Sequence, residues 1–230
     1  MVSGPPSIGH LSAGGPIVAL STPEQPRRRS GRPDKPIPRA DLLQVARSLF
    51  AARGYAGVSM ADIAHKAGLQ KSSLFHHFPT KDQLYREVLD GVLHEVTTTV
   101  AAAITTPVGG FLERLDASSM AAARSLGEDS SRARLIMREL LNEDGDQHHV
   151  ESVVMVIDAT CQFLEEGVEA GAWPRQDFKQ VVLTMAGIHC FYFAVPNITR
   201  RVNGGDPFTT DAVEHRVQAV RLQVRHMLAI

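Results

Sequence analysis

A chain of 230 residues with 43% apolar content can build one sizeable core, or a small domain joined to a larger one. Its formal net charge of −1 excludes a protein that is basic all over and coats polyanions. Two cysteines, Cys161 and Cys190, lie too far apart for a metal or redox motif, a usage that suits a reducing, cytoplasmic compartment and small apolar roles in a core.

The first 36 residues are rich in Pro, Gly and Ser, lack apolar periodicity, and are expected to be a disordered basic tail. No secretory leader is expected: the early apolar run Ile17–Leu20 has no basic residue before it. The tail ends in Arg27-Arg28-Arg29-Ser30-Gly31-Arg32-Pro33, near the start of a basic region. Residues 1–90 hold 12 Lys and Arg against 7 Asp and Glu, whereas residues 91–230 hold 12 against 18. A basic front on an acidic body points to a local polyanion contact, or to chance clustering.

From Arg39 the pattern becomes helical. Leu42, Val45, Ala46, Leu49 and Phe50 predict a first helix over 39–53, with Gly54 as its stop. Ser59 is placed to cap a helix of about eight residues carrying Met60, Ile63, Ala64 and Ala67, with Asp62 near its positive end and Gly68 after it. A third short helix is expected over 70–77, with Leu74 and Phe78 inward and Pro79 closing it. Thr80 and Gln83 form a capping-box pattern for a fourth helix through Leu84, Val88, Leu89, Val92 and Val96. Further helices are expected near 108–126, 131–142, 147–170, 176–195 and 209–228, broken at Gly127, Gly145, Gly171, Pro174, Pro196 and Gly204-Gly205. No run alternates with period two, so the fold class is all-α. The stretch Val181–Val195 is nearly all apolar, but it falls short of the ~20 residues that span a bilayer and contains Thr184 and His189. It is expected to be a buried helix, with no membrane partner.

Helices two and three are too short to persist alone, so the first helix must hold them. A capped short helix, a Gly turn and a second short helix make a helix-turn-helix. The outward residues of the third helix are Gln70, Lys71, Ser72, Ser73, Phe75, His76 and His77, a surface with donors, hydroxyls and an aromatic ring but no carboxylate. That chemistry fits a DNA major groove. Neighbouring helix residues point about 100° apart. His76 and His77 therefore cannot share a metal without outside ligands, and no Cys or acid stands near them. Burial of one histidine in the core is the alternative to contact with DNA.

The segment Val58–Tyr85, VSMADIAHKAGLQKSSLFHHFPTKDQLY, resembles the helix-turn-helix of the tetracycline-repressor-like (TetR/AcrR) family. The shared pattern is a Ser or Thr opening helix two, then Ile-Ala, Ala-Gly and Val-Ser, then Leu-Tyr-x-His-Phe, and Lys-x-x-Leu opening helix four. Phe75 departs from it, since a Tyr is common there, and a hydroxyl contact is lost. The resemblance covers 41–85 and implies an all-α, dimeric, DNA-binding regulator with no cofactor. It implies a DNA-binding domain over 37–96 (motif 59–78) and a regulatory and dimerisation domain over 97–230. It places Lys71, Ser72, Ser73, Phe75 and His76 at base edges and nearby backbone, with His77 and Lys81 on phosphates. Ser59 opens helix two, where its hydroxyl and the backbone N–H groups could hold a phosphate. The Arg-rich tip resembles the arm many members carry, which could enter a minor groove or remain a solvated tail.

One helix-turn-helix reads only a short half-site, so two copies on a palindromic or pseudo-palindromic operator are expected. The 176–195 helix carries Val181, Val182, Met185, Ile188, His189, Tyr192 and Phe193 on more than one face, which suggests a homodimer partner. Val213, Val217, Val220 and Val224 of the last helix offer a second stripe. Family members dimerise through their last two helices, and the resemblance also implies a small-molecule inducer pocket in the body. Candidate wall residues are Met137, Leu141, Val156, Thr160, Phe163, His189 and Tyr192. Trp173 is expected to pack over a helix end. An enzyme using His148-His149 or His189 with a cysteine lacks any nucleophile elbow, phosphate loop or metal-ligand spacing. A thiol redox switch through Cys161 and Cys190 in the same scaffold is the remaining alternative.

Overall fold

The computed structural model describes residues 37–106, 109–143 and 145–230, together with Gly4. The basic tail expected over 1–36, with its Arg-rich tip, lies outside the described residues. From residue 37 the chain forms one compact unit. Ten helices and no strand occur among the described residues: α1 (Arg39–Arg53), α2 (Met60–Lys66), α3 (Lys71–His77), α4 (Lys81–Thr105), α5 (Phe111–Glu128), α6 (Arg132–Leu140), α7 (Gln147–Glu169), α8 (Phe178–Ala194), α9 (Pro196–Asn203) and α10 (Thr210–Met227). The all-α expectation is met, and no single described helix is long and apolar enough to cross a membrane.

The caps form as the residues demand. The Ser59 hydroxyl accepts the Asp62 N–H at 3.1 Å, and the Asp62 carboxylate accepts the Ser59 N–H at 2.8 Å. Thr80 accepts the Gln83 N–H at 3.1 Å and opens α4. Gly68, after α2, has φ +70°, a backbone that a side chain would strain. Leu42, Ala46 and Phe50 of α1, Ile63 of α2, and Leu74 and Phe78 at α3 are all fully buried in one cluster. That burial stabilises two helices of seven residues each, which local propensity could not hold.

The same cluster continues without a gap into Leu126, Ala133, Leu135, Ile136 and Phe193 of the body. A second cluster joins Ile104, Leu115, Phe163, Leu164, Trp173, Phe178, Val182 and Met185 with Val220, Val224 and Leu228. The expected boundary at 96/97 falls inside α4, which runs unbroken to Thr105.

Three expectations are corrected. Gly127 lies inside α5 and does not break it; a Cβ there would meet Val213 Cγ1 at 2.7 Å and Phe193 Cζ at 3.1 Å, so the glycine marks a close helix approach. Pro196 ends α8 but also begins α9, because the first helical position needs no N–H. Val217, Val220 and Val224 face the protein's own core, so the valine stripe of α10 is not a free surface.

Trp173 packs where α7 ends, its indole N–H donating to Leu164 O at 2.8 Å. A Cβ on Gly167 would overlap that indole. Gly167→Ala should therefore cost about 1–3 kcal/mol in urea unfolding and shift the emission of the single tryptophan.

Candidate nucleic-acid interface and buried cavity

α3 is held by Leu74 and Phe78 from below, which leaves its other side outward. Gln70, Lys71, Ser72, Phe75 and His76 are exposed, and Ser73 and His77 are half-buried. The core-burial alternative for a histidine is thus not taken up at either position. Lys71 Nζ lies 5.7 Å from the Phe75 ring centroid. At the start of α4, Lys81 Nζ sits 3.9 Å over the Tyr55 ring, whose hydroxyl donates to Asp82. A shallow groove brings Gly57, Ser59, Lys71, Phe75 and Lys81 together. Three separate stretches of sequence, the loop before α2, α3 and the start of α4, therefore converge on one outward face.

Ser59 takes the capping role expected of it. Its N–H and hydroxyl both donate to the Asp62 carboxylate, at 2.8 and 2.6 Å. Those bonds hold the Asp62 carboxyl below the usual carboxylate range. Ser59 caps α2, and its own donors are already engaged before any phosphate arrives.

Residues of α4, α5, α6, α7 and α8 line a cavity of about 250 Å³ that is open on one side. Of the wall residues expected, Met137, Val156, Thr160 and His189 line it. Three do not. Leu141 is 74% exposed in the turn after α6, and Leu140 takes the wall position instead. Phe163 packs into the second core, its ring 5.5 Å from Phe111 and 5.9 Å from Trp173. Tyr192 faces away: its hydroxyl accepts from Asn203 Nδ2 at 2.8 Å and its ring lies 4.6 Å beneath the Arg216 guanidinium. The larger omission was α4 itself, which supplies Leu93, Val96, Thr97 and Val100. Their i, i+3, i+4, i+7 spacing is a visible signal in the sequence, but it reads equally as an ordinary core stripe, to which Val96 also conforms.

His189 is buried and fully bonded. Its Nδ1–H donates to Met185 O at 2.6 Å, and its Nε2 lies 3.2 Å from the Ser119 hydroxyl and 3.0 Å from Ser119 O. Burial pushes its pKa below the usual histidine value, so it is neutral near pH 7. Both cysteines are free thiols. Burial raises the Cys161 thiol and pushes Cys190 up to about 11. Oxidation needs a thiolate, so neither environment favours the redox alternative.

Two polar clusters tie α4 to the helices around it. Arg47 of α1 donates to Glu95 at 3.1 Å and to Ser131 at 2.8 Å, while Arg132 of α6 reaches the same Glu95 at 3.0 Å. A turn earlier on α4, the buried His149 of α7 lies between Glu139 of α6 at 2.9 Å and Asp90 at 3.1 Å. Tyr85 donates to the same Glu139 at 3.3 Å, and burial together with that carboxylate pushes its pKa up to about 12.

Some apolar residues are left outward. Leu183, Gly187 and Phe191, exposed on α8, recur every four residues, and Ile198 and Val202 of α9 and Leu222 of α10 are exposed too. Of the α8 residues expected on more than one face, Val182, Met185, His189 and Phe193 are buried within the chain, and Val181, Ile188 and Tyr192 are half-buried.

Residues 42–88 match the family described as bacterial regulatory proteins, tetR family. The HTH-type transcriptional repressor KstR2 of Mycolicibacterium smegmatis is 42% identical over 72 residues, 31% of each chain. The HTH-type transcriptional activator FasR of the same species is 31% identical over 134 residues, 58% of this chain and 59% of that protein. The chain thus matches about a third of the length of the first of these relatives. The solved ketosteroid transcriptional regulator KstR2 of Mycobacterium tuberculosis superposes with a TM-score of 0.69 at 22% identity, over 83% of this chain and 94% of that one, a likeness of fold.

His149→Ala would leave the buried Glu139 and the half-exposed Asp90 without this partner. It should destabilise the protein by about 1–3 kcal/mol in a denaturant titration, more than the same change at the exposed His148.

Proposed function

We propose that the chain, whose residues 42–88 match the tetR family of bacterial regulatory proteins, is a dimeric, sequence-specific DNA-binding regulator whose hold on its operator is set by a small molecule in the α4–α8 cavity. One observation carries the reading: α4 supplies a wall of the cavity through Leu93, Val96, Thr97 and Val100, and the same helix begins at Lys81, beside the α3 surface. A ligand that displaces the wall moves the foot of the reading head.

In this reading Lys71, Ser72, Ser73, Phe75 and His76 enter the major groove, with Gln70 at its edge. His77 and Lys81 meet phosphates. Phosphate contacts give affinity and register; the hydroxyls, the histidine and the Phe75 ring supply base contacts, the ring against thymine methyls. The head comprises residues 37–96 and the body, from 97 on, carries the dimer face, while the cavity lies across that division, with Leu93 and Val96 on one side of it and Thr97 and Val100 on the other.

Two heads must lie about 34 Å apart, one helical turn of DNA, to read two half-sites. The Leu183, Gly187 and Phe191 stripe of α8, with the outward side of α10, supports pairing of two chains, and Gly187 lets a partner backbone approach closely. A shift of α4 in each chain then changes the spacing of the heads. This is a two-state coupling in which a ligand acts only by its difference in affinity for the two states. Repression is the favoured sign, since loss of DNA grip on ligand binding uncovers a promoter.

Lys71→Ala should weaken binding across all duplexes and lower the salt slope by about one if Lys71 meets phosphate. It should instead cost about 1–3 kcal/mol at one base position if it reads a guanine. Anisotropy titrations across salt and operator variants distinguish these, and unchanged binding in both removes the residue from the interface. Phe191→Glu should give a monomer by light scattering with unchanged helicity, and operator affinity reduced about a hundredfold or more, because binding of the second head is no longer intramolecular.

A further inference from the structure

The cavity wall carries no Asp, Glu, Lys or Arg. Its polar members are Thr97, Ser118, Ser119, Thr160 and His189. Four of them are already committed. Thr97 donates to Leu93 O at 2.8 Å and Thr160 to Val156 O at 2.7 Å. Ser119 and His189 bond each other at 3.2 Å, and the second nitrogen of His189 is held by Met185 O.

Ser118 is different. It lines the cavity, it is only 6% exposed, and among the described residues its hydroxyl has no hydrogen-bond partner. That hydroxyl opens onto the cavity and is free to donate to, or accept from, an occupant.

Resting on the regulatory reading above, we propose that the cavity takes an uncharged amphipathic molecule with a hydroxyl or carbonyl at one end, and that Ser118 is the residue that recognises that end. An ionised carboxylate, phosphate or ammonium would enter a wall with no counter-charge, which is strongly unfavourable. A neutral His189 offers no compensating charge. The volume of about 250 Å³ corresponds to about eight water-sized units at ~30 Å³ each, so molecules of roughly eight to ten heavy atoms are matched to it. Leu93, Val96, Ile136, Val153 and Met185 meet its chain. A polar end bonded to α5, with a chain lying against α4, makes occupancy and α4 position one event.

The test is calorimetry on the full chain, without DNA, at pH 8 with three probes of matched length: 1-octanol, 2-octanone and octanoate. The alcohol and ketone are expected to bind at least about tenfold more tightly than the anion. Ser118→Ala should weaken both neutral probes by about two- to tenfold, and Ser118→Thr should recover most of that loss. Ala122→Leu, which fills the cavity from α5, should abolish binding while leaving the thermal melt intact. Octanoate binding as tightly as octanol overturns the uncharged class. Unchanged affinity in Ser118→Ala overturns the anchor, and unchanged affinity in Ala122→Leu overturns the location. No binding by any probe overturns the whole inference. Operator binding by the same preparation, measured separately, reports on the regulatory reading alone.

Discussion

One helix, α4, is packed on two sides at once, and the rest of the molecule is arranged around that fact. Its first turns, through Leu84, Val88 and Leu89, close the core that holds α1, α2 and α3. Its middle, through Leu93, Val96 and Val100, forms a wall of the cavity, and its last turn places Ile104 in the second core. Twenty-five residues of continuous helix form a lever about 37 Å long at 1.5 Å per residue. A continuous helix curves only gently and kinks sharply only at a specific defect, so in the proposed reading a displacement at the cavity is carried towards Lys81.

The polar clusters determine how freely that lever moves. Glu95 is gripped by Arg47 from α1 and Arg132 from α6, and Asp90 reaches Glu139 through His149. Both clusters bind α4 to α6, and each holds groups that are costly to leave unpaired inside a protein. Such networks tend to have discrete arrangements, since a half-made one is worse than either full set of bonds. That is the physical requirement for a switch, as opposed to a soft hinge. The cavity is lined from both cores, by Leu93, Leu126 and Ile136 of the first and Val182 and Met185 of the second.

Much of this was legible beforehand, and the reasons differ from element to element. Ser59, Gly68 and Thr80 are local signals whose chemistry acts within three residues, so the caps of α2 and α4 and the turn before α3 could be read directly. The acid-free outer side of α3 followed from Leu74 and Phe78 being four apart. The cavity was only partly legible. Leu141 and Leu140 are neighbours with the same chemistry, and one sits in the wall while the other is in water. Phe163 and Tyr192 are apolar or aromatic residues at proper spacing, but Trp173 claimed the first and Arg216 the second. The valines of α10 form a regular stripe in either case; that they face α5 and α8 within the chain depends on how the helices cross.

The sequence by itself determined the helices, their caps, the class of fold and the outward chemistry of residues 70–77. Each of these is a matter of bonds and periodicities within one or two turns, which the order of residues sets directly. Only the tertiary structure decided which apolar faces meet one another and which remain in solvent. It alone decided that Ser118 has no partner while Ser119 has one, and that α4 serves both the reading head and the cavity. Those outcomes depend on packing among residues up to about a hundred positions apart, where shape and volume, which no local pattern encodes, choose among faces that are chemically alike.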